Sequence, residues 1–190
     1  MTPALQTLKD MLACITYSGD QHTSAKIKES DPCAQLKTVN ILASNGDWFV
    51  FAPDKGRGRA ALMSPLLAVG AGHQHHRACD AVIVVLKNAV LKLIFVDLKS
   101  SSPSGYSGQF QSTRQFTRYL LGLLAEFYNH SFASIEEQFL LLHTAKTKKV
   151  LLNKKPTLLA CANKPSRDPK KPQKELVEDG VSIYMKQLLA

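Results

Sequence analysis

Asp80, Asp97 and Lys99 put charge into the most apolar stretch of this chain. The run Ile94-Phe95-Val96-Asp97-Leu98-Lys99 reads as a strand. Its period of two puts Phe95, Asp97 and Lys99 on one face and Ile94, Val96 and Leu98 on the other. A carboxylate among such neighbours is costly unless a charge or good hydrogen bonds meet it. Lys99 is one counter-charge, and a divalent cation is another. Asp80 heads the preceding segment, Asp80-Ala81-Val82-Ile83-Val84-Val85. If the two segments pair as a hairpin, Asp80 falls beside Asp97 and Lys99. Two carboxylates and a lysine at one end of a twisted sheet suit a hard cation, Mg²⁺ or Mn²⁺, and the activation of a water.

The elements that must position these residues follow from patterning. Residues 81–86 and 90–98 are β-branched and aliphatic, and Lys87-Asn88 between them suits a tight hairpin. A serine- and glycine-rich loop over 100–108 leads to a long helix over about 109–128, closed by Asn129. On that helix Phe116, Leu120, Leu123, Leu124 and Phe127 are expected on the core side. Earlier, 3–15 reads as a helix, and the polar 21–31 as a short helix or surface loop. Segments 36–43 and 47–52 read as strands of a hairpin around Ser44-Asn45-Gly46. A short helix is expected within 60–69. Further strands are expected at 138–144 and 149–152, and a strand or short helix at 181–188. A Pro- and Lys-rich loop lies at about 163–174, and no internal repeat is found.

The sequence His76-Arg77-Ala78-Cys79-Asp80, a strand, a short turn and Phe95-Val96-Asp97-Leu98-Lys99-Ser100 resembles the PD-(D/E)xK nuclease superfamily. Asp80 matches the first acidic residue of that motif, and Asp97 and Lys99 match its (D/E)xK. Cys79 stands where the consensus has proline, and Asp97 where glutamate is commoner. Gln115-Phe116-Thr117-Arg118-Tyr119 resembles the QxxxY element of recombination-exonuclease-type members. The resemblance covers about residues 77–127. It implies a restriction-endonuclease-like α/β core, a mixed central β-sheet flanked by helices. It also implies Mg²⁺- or Mn²⁺-dependent hydrolysis of phosphodiester bonds, in DNA rather than RNA. The catalytic set would then be Asp80, Asp97, Lys99, Gln115 and Tyr119, with Lys99 positioning or activating water. A further acidic ligand usually comes from the first helix; Glu29 is favoured over Asp10. The superfamily also holds inactive members that serve as binding modules. A plainer reading makes Asp97-Lys99 a polar strand pair and Gln115-Tyr119 a solvated stripe.

Composition bounds these expectations. The 190 residues are 45% hydrophobic, enough for one core, and the whole chain is read as a single domain. The formal charge is +9. Residues 1–137 carry 13 basic and 11 acidic side chains (+2), and residues 138–190 carry 11 and 4 (+7). Arg77, Arg114, Arg118, Lys148 and Lys149 are therefore the expected contacts to a nucleic-acid backbone. No run approaches the roughly 20 apolar residues of a membrane span. No signal peptide is read, and Cys14, Cys33, Cys79 and Cys161 form no CxxC pair, so a cytoplasmic protein is expected. His73, His75 and His76 with Cys79 offer soft-metal donors, but no second cluster follows. They read instead as a polar loop at the mouth of the site, with His76 or Arg77 against phosphate. A homodimer or a targeting partner would compensate for the small size.

Overall fold

A computed structural model describes residues 1–55, 62–64, 66–70, 72–101, 103–144 and 165–189. Its backbone is a six-stranded mixed sheet in the order β1-β4-β5-β6-β7-β8. These strands are β1 (Ile15–Ser18), β4 (Trp48–Phe51), β5 (Ala81–Lys87), β6 (Val90–Lys99), β7 (Ser134–His143) and β8 (Gln173–Leu176). A second sheet of three strands runs β2-β3-β9, from β2 (Ser24–Lys28), β3 (Thr38–Leu42) and β9 (Val181–Tyr184). Helices α1 (Pro3–Asp10) and α2 (Tyr106–Tyr128) lie on one side of the large sheet, and α3 (Met185–Leu188) ends the described chain.

The expected β5–β6 hairpin forms, with its two-residue turn one position later than Lys87-Asn88, because Lys87 pairs with Val90 as the last residue of β5. Asn88 and Ala89 take positive φ, 52° and 61°, the backbone sign of a type I′ turn whose twist matches the strands. Register runs from Lys87↔Val90 to Ala81↔Val96, so one further step sets Asp80 opposite Asp97. β6 is central, antiparallel to β5 and parallel to β7. The parallel pairing is reached through the crossover helix α2. Asn129 closes that helix at φ 52°, its N–H donating to the Leu124 carbonyl.

Alternation on β6 separates two cores. Ile94, Val96 and Leu98 pack with β2, β3, β9 and α3, including Ile27, Val39, Ile183 and Leu188. Leu91, Leu93 and Phe95 pack with Leu5 and Leu8 of α1, Phe110, Leu120 and Leu124 of α2, and Phe139. Phe95 and Phe139 stack at 4.9 Å across the parallel pair. Asp97 shares its strand face with Phe95 and is fully buried.

Several expectations are corrected. The segments around Ser44-Asn45-Gly46 are strands but not a hairpin: β3 and β4 belong to different sheets. The Trp48 indole N–H donates to the Ser44 carbonyl at 2.7 Å, and β4 pairs with β1. A Cβ on Gly19 would stand 2.4 Å from the Gly46 carbonyl oxygen and the Trp48 indole, so only glycine permits that approach. Segment 21–31, expected as helix or loop, contains β2, whose Ala25 and Ile27 face inward between exposed Ser24, Lys26 and Lys28. The opening helix stops at Asp10, and Ile15 begins a strand. The described part of 60–69 is not helical. Gln173–Leu176, at the end of the expected basic loop, is an edge strand. Phe127 is 72% exposed rather than core. The strand expected at 149–152 lies outside the described residues. Among the described residues, no helix is long and apolar enough to cross a membrane.

Candidate active site

At the C-terminal end of β6, hairpin register and strand alternation bring Asp80 and Asp97 to the same face. The Leu98 backbone N–H donates to Asp80 Oδ2 at 2.6 Å, which pins the first carboxylate to the second strand. Lys99 Nζ stands 3.0 Å from Asp97 Oδ2. Yet neither Asp97 oxygen has a hydrogen-bond partner of sound geometry among the described residues.

The electrostatics follow from burial. Loss of solvation pushes Asp97 up to about 6, against the pull of the Lys99 ammonium and with the push of the Glu29 charge. Asp80 is raised well above the ordinary carboxylate range. Desolvation is the main cause, then the charges of Asp97 and Glu29, opposed by the Leu98 N–H and Lys99. The two acids therefore share a field that resists a double negative charge.

Asp80 and Lys99 open onto a cavity of ≈ 480 Å³ that Glu29, Asp54, His76, Arg77 and Gln109 also line. Asp97 lies beneath, out of contact with solvent. Glu29 arrives from the turn after β2, where its carboxylate accepts the Asp31 N–H at 3.0 Å. Asp10, the alternative acid, instead accepts a hydrogen bond from Gln6 on the exposed side of α1. His76 and Arg77 stand at the rim, where the loop reading put them.

Other expected residues are elsewhere. Gln115 is exposed and Tyr119 is 63% exposed on the outer side of α2. Neither lines the cavity. The helix begins at Tyr106 and turns Gln109, Thr113, Thr117 and Leu120 inward, so Gln109 reaches the cavity in place of Gln115. The Cys79 backbone N–H fixes this rotation by donating to Thr113 Oγ1 at 3.0 Å. A proline there, as in the motif of the superfamily that the sequence resembles, has no N–H to give. The Cys79 thiol is itself raised by burial and donates to the Ala81 carbonyl.

Arg114 and Arg118 pair with a carboxylate of β7 and do not line the cavity. Arg114 Nη2 and Nε both lie 2.7 Å from Glu137 Oε2, and Arg118 donates to the same carboxylate at 3.0 and 3.1 Å. Partial burial opposes ionisation of Glu137, but the hydrogen bonds and charges of these two guanidiniums hold it below its ordinary value. Lys148 and Lys149 lie outside the described residues. Sequence reasoning missed Asp54 and Gln109; Asp54 follows Pro53 in the turn after β4, with no periodicity to mark its direction.

The residues suit a hard cation in their donor chemistry. Asp80 and Asp97 are oxygen donors, and Lys99 is the one cation paired with the Asp97 carboxylate among the described residues. Among the described residues, no group of three or more His, Cys, Asp and Glu side chains is gathered closely enough to hold a metal ion. What is present is a close pair with Glu29 acting on both through its field. The chain matches no protein-family model, no curated protein and no solved structure.

Proposed function

We propose that the chain is a metal-dependent nuclease with a restriction-endonuclease-like core, hydrolysing phosphodiester bonds in DNA in preference to RNA. One observation carries this reading: a buried acid ion-paired with a lysine and set opposite a second acid, under an open polar cavity. Asp80 and Asp97 would hold Mg²⁺ or Mn²⁺, with the charge of Glu29 adding to the field from the cavity wall. Bound there, the ion would polarise the phosphodiester and lower the pKa of an attacking water. Lys99 holds its ammonium against Asp97, from which it positions the water and offsets charge growing on the phosphoryl oxygens. Arg77 and His76 offer cationic and hydrogen-bonding contacts to a phosphate at the rim, and Gln109 a carboxamide from the helix side. The preference for DNA rests on the family resemblance alone.

A second reading keeps the fold as a non-catalytic binding module. The full burial of Asp97 and the lack of a three-residue metal cluster among the described residues favour it.

Purified protein incubated with plasmid, linear duplex, single-stranded DNA and RNA separates the two. The nuclease cleaves with Mg²⁺ or Mn²⁺, stops with chelator, and loses about 10²-fold or more in Asp97→Asn and Lys99→Met while circular dichroism is retained. Absence of cleavage on every substrate, with no calorimetric binding of Mn²⁺, would overturn the enzyme reading.

A further inference from the structure

Just before β5 the chain runs as a strap over residues 74–79, and two hydroxyls of α2 hold it. Ser112 Oγ donates to the His75 carbonyl at 2.6 Å, and Thr113 Oγ1 accepts the Cys79 N–H at 3.0 Å. Both hydroxyls come from buried residues inside the helix. Their anchor points fall two residues before and two residues after Arg77. Between the anchors the strap turns, the Arg77 N–H donating to the Gln74 carbonyl at 3.1 Å. Gly105, Gly108 and Ser112 are spaced three and four apart, on one side of the helix. A Cβ on Gly108 would run into the Gln74 carboxamide, and one on Gly105 would stand 3.1 Å from Arg77 Nη1. Serine is a weaker helix former than alanine, and the one hydrogen-bond partner of the Ser112 hydroxyl among the described residues is the strap. The guanidinium that the strap carries lines the cavity beside Asp80 and Lys99.

We propose that Arg77 grips a backbone phosphate next to the one addressed at Asp80, and that Ser112 is the positioning residue that holds Arg77 to that contact from inside α2. Two residues separate Arg77 from Asp80, so even an extended chain keeps them within about 10 Å. The Thr113 bond fixes the strap where it enters β5, and the Ser112 bond fixes it on the far side of Arg77. Without the second anchor, the turn that presents the guanidinium is tied at one end only. The proposal rests on the reading of the cavity as a nucleic-acid site and not on cleavage.

Fluorescence anisotropy of a labelled single-stranded DNA oligonucleotide, with the full chain in chelator, tests it. Arg77→Ala should weaken binding about tenfold and lower the slope of log K against log[salt] by about 0.7, the share of one phosphate contact. Ser112→Ala should weaken binding about threefold or more and lower the same slope, and Ser112→Thr, which keeps the hydroxyl, should restore both. The double variant Arg77→Ala/Ser112→Ala should bind no worse than Arg77→Ala alone, because Ser112 acts through the arginine. Thermal unfolding shows which variants are folded. If Ser112→Ala is not, Gly108→Ala, which pushes the Gln74 turn off the helix, carries the same expectation in the same cycle. Additive losses in the cycle overturn the proposal, as does a wild-type chain that binds no oligonucleotide or a Ser112→Ala chain that binds like wild type. Cleavage with Mn²⁺ is read separately. A chain that shows the non-additive cycle and cleaves nothing refutes the nuclease and upholds the strap; one that cleaves with additive losses does the reverse.

Discussion

Replacing Asp97 by asparagine keeps the shape of the side chain and removes its charge. Asp97 is fully buried, and desolvation lifts it from the ordinary 3.8 to about 6 despite the Lys99 ammonium at 3.0 Å. That interval corresponds to about 3 kcal/mol between the two protonation states. The folded chain prefers the protonated acid, so below about pH 4, where the unfolded chain also binds the proton, the residue costs little. As pH rises toward and through 6, the unfolded chain ionises freely and the folded chain does so only at a cost. Wild-type stability therefore falls across this window, and the loss is complete above it. Asp97→Asn is expected to be more stable than wild type by up to about 3 kcal/mol near pH 8 and nearly equal to it near pH 4. Urea unfolding in chelator at the two pH values reads the difference directly. Added Mn²⁺ should raise the wild-type midpoint near pH 8 and leave the variant's unchanged, because a ligand for the folded state stabilises it. A substitution effect of the same size and sign at both pH values refutes the electrostatic argument.

Three further outcomes follow from neighbouring contacts. Lys99→Met removes the charge that draws both acids down, so Asp80 and Asp97 rise further; stability near pH 8 should fall by about 2 kcal/mol and hold near pH 4 in the same urea assay. Gln109→Ala should slow cleavage while Gln115→Ala leaves it unchanged in a plasmid-nicking time course, because only the first lines the cavity; the reverse order would restore the QxxxY register to the site. Cys79→Pro moves the chain toward the consensus of the superfamily it resembles yet should destabilise it by about 1–3 kcal/mol in thermal unfolding, since the bond to the buried Thr113 hydroxyl is lost.

The parts legible in the sequence were those fixed by local arithmetic. A hairpin with a two-residue turn determines which residues face each other, so Asp80, Asp97 and Lys99 converge from chain distance and alternation alone. The parts that were not legible depend on distant chain. β2 shows only Ala25 and Ile27 as apolar signal, and it becomes a strand because β3 and then β9, some 140 residues on, supply its sheet. The Asn45-Gly46 signal is genuine turn chemistry, but the competing pairing of β4 with β1 and β5 decides where the following strand goes. Arg114 and Arg118 look like free cations on a helix until β7 brings Glu137 between them.

The misplaced glutamine shows most clearly how a motif and a fold come apart. Four-residue spacing says that Gln115 and Tyr119 share a face, and they do. Spacing carries no information about which face looks inward, because that depends on the rotation of the whole helix about its axis. Here that rotation is set by buried Thr113, Thr117, Leu120 and Leu124, and by one hydrogen bond from the residue preceding Asp80. The Cys79 N–H thus ties the segment that carries the first acid of the pair to the helix that presents Gln109. Turned that way, the helix brings Gln109 to the cavity and leaves Gln115 and Tyr119 to solvent.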